Sequence, residues 1–187
     1  VSLATDYKED YRANWKGEAF GRDFSLSNGR GYLEGCAACG MYDWLTELSR
    51  LDGPGRYEDV RERLMYNVLL GTFNADFTAY AYPNPTASAE PRYAWHTLPC
   101  CVGNVPRVLE DYKNRMWAVS AAGDRLYLLH FISSTGGEAT VGGVRLALSL
   151  ETDYPADGRM HLTIAAERPV AFPLVIRYPN RVESALY

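Results

Sequence analysis

The sequence predicts an α+β chain in which the helices come first and the strands follow. Three observations carry this reading: apolar residues recur at helical spacing up to about residue 120, the period changes to two beyond it, and a proline-containing excursion interrupts the helices. With 187 residues, the chain holds one large domain or two small ones and can bury a sizeable core.

The first helix is expected over Glu34–Ser49, where Cys36, Ala37, Met41, Trp44, Leu45 and Leu48 fall at helical spacing and "LDGPG" at 51–55 stops the pattern. A second runs from Tyr57 to about Leu70, with Val60, Leu64 and Val68 on one side and Gly71 as the stop. The third is expected from Val105 to about Val119. Asn104 would cap it, Pro106 would sit in the first turn where a missing N–H is harmless, and Val108, Leu109, Tyr112 and Met116 form its stripe. Between the second and third helices, "FNADFTAYAYPNPTASAEPRYAWHTLPCCVGN" holds four prolines, so it reads as an irregular excursion with one short hairpin. Segments of that length inside a compact domain are usually functional or disordered, and the aromatics and cysteines favour the functional reading.

After residue 120, "RLYLLHFIS" (125–133), "VRLALSL" (144–150), "MHLTIAA" (160–166) and "VAFPLVIRY" (170–178) read as strands, with "STGGEATVGG", "ETDYPADG" and "ERP" as separators. Turn-separated strands at this spacing predict an antiparallel sheet or sandwich. The expected division is therefore residues 1–120 and residues 121–187.

Composition excludes several function classes. Hydrophobic residues at 47% and charged ones at 22% describe a globular chain rather than a disordered one. Nineteen basic and 23 acidic side chains leave a net charge of -4, and no Lys/Arg-rich run exists, which argues against nucleic acid as a partner. No apolar run approaches the roughly 18 residues that span a bilayer, and "VSLATDYKEDYRANW" lacks the basic and apolar parts of a signal peptide. A soluble protein without membrane partners is expected, and reliance on free thiols favours the cytoplasm. The chain starts without Met and ends on "IRYPNRVESALY" after a strand-like run, so a fragment of a longer protein is expected.

The four cysteines are Cys36 and Cys39 in "YLEGCAACG" and the adjacent Cys100 and Cys101 in "LPCCVGN". A disulfide set is disfavoured, because a chain this apolar folds without bridges and adjacent cysteines pair badly. A zinc ribbon would answer "CAAC" with a second C-x-x-C about 15–20 residues on, whereas Cys100 lies 61 residues after Cys39. A lone C-x-x-C on an alanine-rich helix face is also compatible with packing alone. A third reading adds carboxylates: Glu34 lies two residues before Cys36, and Glu18 lies in "WKGEAFGRDF". Zinc accepts mixed oxygen and sulfur ligands, and a thiolate beside a carboxylate is equipped for nucleophilic chemistry.

"GEAF" (17–20), "LEGCAACGMYDW" (33–44), "RYEDVRERLMYNVLLG" (56–71), "YAYPNP" (80–85), "CCVGNVPR" (100–107), "LYLLHFISS" (126–134) and "ETDYP" (151–155) occur in an order that resembles glycoside hydrolase family 127. That family was formerly a domain of unknown function, and its best-known activity is β-L-arabinofuranosidase. The resemblance covers nearly the whole chain and is most specific at the double cysteine followed by Asn and Arg, and in the sixteen-residue interval from Glu18 to Glu34.

What the resemblance implies is the C-terminal part of an (α/α)6 barrel followed by an incomplete antiparallel β-sandwich. It also implies a retaining glycosidase that releases a terminal sugar, β-L-arabinofuranose first among the options, from a plant or algal carbohydrate. Carried over residue by residue, Zn2+ would be held by Glu34, Cys36, Cys100 and Cys101. Cys100 would also be the nucleophile and Glu18 the general acid/base. Glu62 and Tyr82 would contact substrate, although a solvated helix-face glutamate and a packed aromatic are the plain readings of those two. His96 receives no role, and a His beside Trp95 reads as structural. Cys39 receives none either and reads as a buried small residue. Val102 and Gly103 stand where the family is expected to have prolines. The rival from another class is a non-catalytic, zinc-stabilised structural or carbohydrate-binding module, whose four protein ligands close the site without any need for Glu18.

Overall fold

The computed structural model describes residues 33–82, 84, 87, 92 and 100–180. It is an α+β structure that divides into two compact units. Among the described residues, the first unit comprises 33–53 and 60–109, and the second comprises 54–59 and 110–180.

Helix α1 spans Gly35–Asp52 and ends at Gly53, whose φ of 86° suits glycine. Its buried stripe is Gly35, Ala38, Cys39, Tyr42, Leu45 and Thr46. This is rotated from the expected one: Trp44 is 59% exposed, whereas Cys39 lies in the core. The apolar pattern was ambiguous because small and aromatic residues occur on both sides, and Tyr42 and Thr46 bury by satisfying polar atoms. Thr46 Oγ1 donates to the Tyr42 carbonyl at 2.9 Å, and Arg61 Nη2 donates to the Tyr42 hydroxyl at 2.5 Å.

Helix α2 covers Arg56–Leu64, and the chain continues through a π-helical turn, Met65–Leu69, into a 3-10 turn, Leu70–Thr72. A small loop follows, with an antiparallel bridge between Phe73 and Tyr80. Helix α3 runs Cys100–Asn114, with Val105, Val108 and Tyr112 buried along it. It starts at the double cysteine and not at Asn104, so Asn104 is no cap, and Pro106 lies inside the helix. One proline in a helix interior is costly but tolerated when packing of the apolar stripe outweighs the lost hydrogen bond.

The second unit holds six strands: β1 (Trp117–Val119), β2 (Leu126–Leu128), β3 (Ser134–Val141), β4 (Val144–Thr152), β5 (Met160–Ala166) and β6 (Leu174–Ile176). One sheet has the order β1-β2-β6 and the other β3-β4-β5. The second is antiparallel throughout, whereas β2 and β6 pair in parallel, so the strand set is not wholly antiparallel as expected. β1 falls where the third helix was expected to end, and β3 falls in a presumed separator. The disguise of β3 has a physical cause: Gly136 takes a φ of 80° at an irregularity between Ser134 and Gly137. A Cβ on Gly137 would come within 2.9 Å of Trp117 Nε1. Glycine therefore belongs to this strand's packing, and Gly142-Gly143 (φ 57° and 69°) turns β3 tightly into β4.

β4 shows the clearest period of two, burying Val144, Leu146, Leu148 and Leu150. These join Leu126, Leu128, Val141, Met116 and Phe131 in two adjoining clusters to which both sheets contribute. Buried charge accompanies the apolar core. Arg177 Nη1 donates to Asp59 Oδ1 at 2.6 Å and Arg177 Nε to the Leu129 carbonyl at 2.5 Å, with the guanidinium 5.0 Å from the centre of the Phe131 ring. Beside it, His130 Nε2 lies 2.8 Å from Glu58 Oε2, both side chains fully buried. The segment 54–59 is thus held to its sheet by polar side chains.

Removing one partner of a buried pair leaves the other charge without compensation. Asp59→Ala is expected to lower stability by about 3–5 kcal/mol, measured by urea unfolding followed by circular dichroism. A loss no larger than that of an exposed control such as Glu151→Ala would refute the structural weight given to the pair.

Candidate metal centre

The site is built where two helices begin. Glu34 immediately precedes α1 with extended backbone (φ -72°, ψ 136°), Cys36 lies in the first turn of α1, and Cys100 and Cys101 open α3. Helix starts present unpaired backbone N–H groups and the positive end of the helix dipole, which favour anionic ligands. Their approach is allowed by Gly35. A Cβ there would stand 3.3 Å from Val105 Cγ2, a tight approach, and 3.6 Å from Cys101 Sγ, an ordinary contact. Asn84 ties the neighbouring loop to the same place, with Nδ2 reaching the carbonyls of Leu33, Ala81 and Tyr82 at 3.4, 3.1 and 3.1 Å.

One ligand atom from each of Glu34, Cys36, Cys100 and Cys101 lies within 4.8 Å of every other. Cys36 Sγ and Cys101 Sγ are 3.3 Å apart, and Glu34 Oε1 is 3.6 Å from Cys100 Sγ and 4.0 Å from Cys101 Sγ. A tetrahedral ion bound at about 2.3 Å to sulfur and about 2.0 Å to oxygen requires ligand separations of about 3.5–3.8 Å. The four residues therefore fit a metal ion with little movement. All four cysteines are free, which removes the disulfide reading, and Cys39 belongs to the buried face of α1 rather than to this group.

Burial differs sharply within the set. Glu34 is 8% exposed and Cys101 1%, Cys36 is half-buried, and Cys100 is exposed. Burial raises the Cys101 thiol to about 11 and pushes Cys36 upward as well, a rise that the Asn104 amide partly offsets. Burial also pushes the Cys39 thiol up to about 12, and the neighbouring Cys36 adds to it. Without a cation these buried thiols keep their protons at neutral pH.

Glu62 is buried, at 3% exposure, so the solvated helix-face reading fails. Tyr82 is also buried, and neither residue is among the four that converge. Glu18 and His96 lie outside the described residues. Two neighbours escaped sequence reasoning. Burial first, and then the charges of Cys101, Cys100 and Cys36, push the Tyr80 hydroxyl above the usual phenol range. Asn104 Nδ2 donates to Cys36 Sγ at 3.2 Å. The signal for Asn104 is its place four residues after Cys100, one helical turn on, which its chemistry as a cap residue obscures.

Binding of a metal ion must displace protons from at least Cys36 and Cys101. Affinity for Zn2+ is therefore expected to rise with pH across neutrality, with about two or more protons released per ion, measurable by calorimetry in buffers of different ionisation enthalpy. Proton release near zero would show that these thiols are not ligands.

Comparison with known proteins follows the same residues. Residues 7–114 match the family model described as "Beta-L-arabinofuranosidase, GH127 catalytic domain". The chain is 25% identical over 162 residues to a non-reducing end β-L-arabinofuranosidase of Bifidobacterium longum subsp. longum, covering 80% of this chain and 24% of that protein. It superposes on the crystal structure of a GH127 β-L-arabinofuranosidase from Geobacillus stearothermophilus T6 with a TM-score of 0.77 at 28% identity, covering 88% of this chain and 27% of the other. A solved GH127 β-arabinofuranosidase gives 0.78 at 33% identity, covering 87% and 25%. The chain thus spans about a quarter of the length of these relatives. With more than half of its residues in the family model, and with the Glu34 and cysteine cluster inside the matched span, the chain belongs to glycoside hydrolase family 127.

Proposed function

We propose that the protein carrying this chain is a retaining glycosidase that releases a terminal non-reducing sugar, β-L-arabinofuranose, and that Cys100 is its nucleophile. The observation that carries the reading is the unequal exposure of a convergent ligand set: Glu34 and Cys101 are buried, Cys36 is half-buried, and Cys100 is open to solvent. A catalytic centre needs its reacting group within reach of substrate, and Cys100 is the member of the set that meets that need. The relatives' names suggest the sugar, and the exposure of Cys100 supports it as the attacking group. In the same reading, helices α1–α3 are the end of an (α/α)6 barrel, the two sheets form a β-sandwich, and the boundary falls near residue 120.

Retaining glycosidases pair a nucleophile with a group that protonates the departing oxygen. Here Cys100 Sγ attacks the anomeric carbon, forming a C–S bond as the glycosidic C–O bond breaks. Glu18 gives its proton to the leaving oxygen. Water then attacks the same carbon, the C–S bond breaks, and Glu18 takes the proton from the water. Two inversions give retention. Glu18 must start protonated, which requires burial or a neighbouring negative charge. Glu34, Cys36, Cys100 and Cys101 would hold Zn2+, which when bound supplies the positive charge that keeps thiols ionised at neutral pH. Glu62 and Tyr82 contact the sugar.

In the full-length protein, Cys100→Ser is expected to abolish turnover of an aryl β-L-arabinofuranoside, whereas Glu18→Gln is expected to spare activated leaving groups more than poor ones. A cysteine-directed sugar mimic should label Cys100, read by peptide mass spectrometry. Undiminished hydrolysis by Cys100→Ser would sink the assignment.

A further inference from the structure

The double-cysteine helix carries a polar pair that the reaction scheme leaves unused. On α3, Cys100, Asn104 and Arg107 follow one another at four- and three-residue steps and so share one stripe. Arg107 Nη1 donates to Asn104 Oδ1 at 3.1 Å, and Asn104 Nδ2 donates to Cys36 Sγ at 3.2 Å. A guanidinium has only donors, so its contact fixes the amide oxygen on its own side and turns the NH2 toward the sulfur. The relay is thus directional, from an exposed arginine on α3 through an amide to a sulfur on α1. Among the described residues, no amide or guanidinium makes the corresponding contact to Cys100 Sγ.

We infer that Asn104, oriented by Arg107, is a positioning residue that fixes the Cys36 sulfur as the resident ligand of the centre and so leaves Cys100 as the sulfur free to react. This rests on the proposed metal-thiolate reading of the site and extends it. An N–H donated to a thiolate stabilises the negative charge on that sulfur and fixes its direction, as outer hydrogen bonds do for other metal ligands. The three sulfurs are therefore not equivalent: Cys101 is confined by burial, Cys36 is confined by the Asn104 amide, and Cys100 has neither restraint. A set of identical ligands would offer no reason for one of them to leave. Here the geometry supplies it.

The test uses Co2+ as a spectroscopic probe in the anaerobic, metal-free full-length protein, with binding followed by the sulfur-to-cobalt charge-transfer absorption. Asn104→Ala and Asn104→Asp are expected to weaken Co2+ binding by about ten- to a hundredfold and to shift the charge-transfer band. Arg107→Met should change both in the same direction by less. Val102→Ala, an exposed position on the same helix, should change neither. Because Asn104 acts through Cys36, the losses from Asn104→Ala and Cys36→Ser should not add in the double variant. If Asn104→Ala binds Co2+ with wild-type affinity and spectrum, or if its loss adds fully to that of Cys36→Ser, the positioning role is overturned. Failure of the wild-type protein to show any sulfur-to-cobalt band would instead remove the metal-thiolate reading on which it stands. Circular dichroism of each variant separates loss of the site from loss of the fold.

Discussion

Four acidic ligand groups within 4.8 Å of one another have no internal charge balance, and that constraint organises the first unit. Ionised together they would repel, and each buried thiolate would also lose its hydration. The chain meets this in several ways at once. Two helix starts aim their positive ends at the cluster, the buried thiols stay protonated in the absence of a cation, and an amide on α3 donates to the sulfur of Cys36. Gly35 is small because the two helix starts must approach within contact of Cys101 and Val105. Asn84 holds the carbonyl just before Glu34.

The second unit rests on a different balance. Its apolar core alternates along β4 and recruits both sheets, but the segment 54–59 is fixed by polar contacts, through the ion pair of Asp59 with Arg177 and the contact of Glu58 with His130. Buried ion pairs contribute little net stability against an apolar alternative, yet they specify geometry, since only one arrangement satisfies both partners. Arg177 illustrates this: one guanidinium serves a carboxylate, a carbonyl and the face of Phe131.

Legibility in the sequence followed the physics of each element. α1 and β4 were readable because their patterns are long and periodic. α1's facing was not, because Tyr42 and Thr46 bury by hydrogen bonding rather than by being apolar. β3 was hidden by glycines whose role is to pass beneath Trp117 and to form a bulge. The start of α3 is obscured in the sequence because Asn104 has the chemistry of a cap, while its amide is engaged by a sulfur 68 positions earlier.

Residue types and local spacing by themselves determined the α+β order, while the grouping of Glu34, Cys36, Cys100 and Cys101 as ligands came from the resemblance to the family. That order is a property of side chains and short-range periodicity. Only the tertiary structure decided that a carboxylate and a thiol at one helix start meet two thiols more than sixty residues later, and that Cys39 is left out. It alone decided that Cys100 is the exposed sulfur and that Asn104 reaches Cys36. Distances across the chain depend on how helices pack, and packing is set by the whole core rather than by any local run of residues.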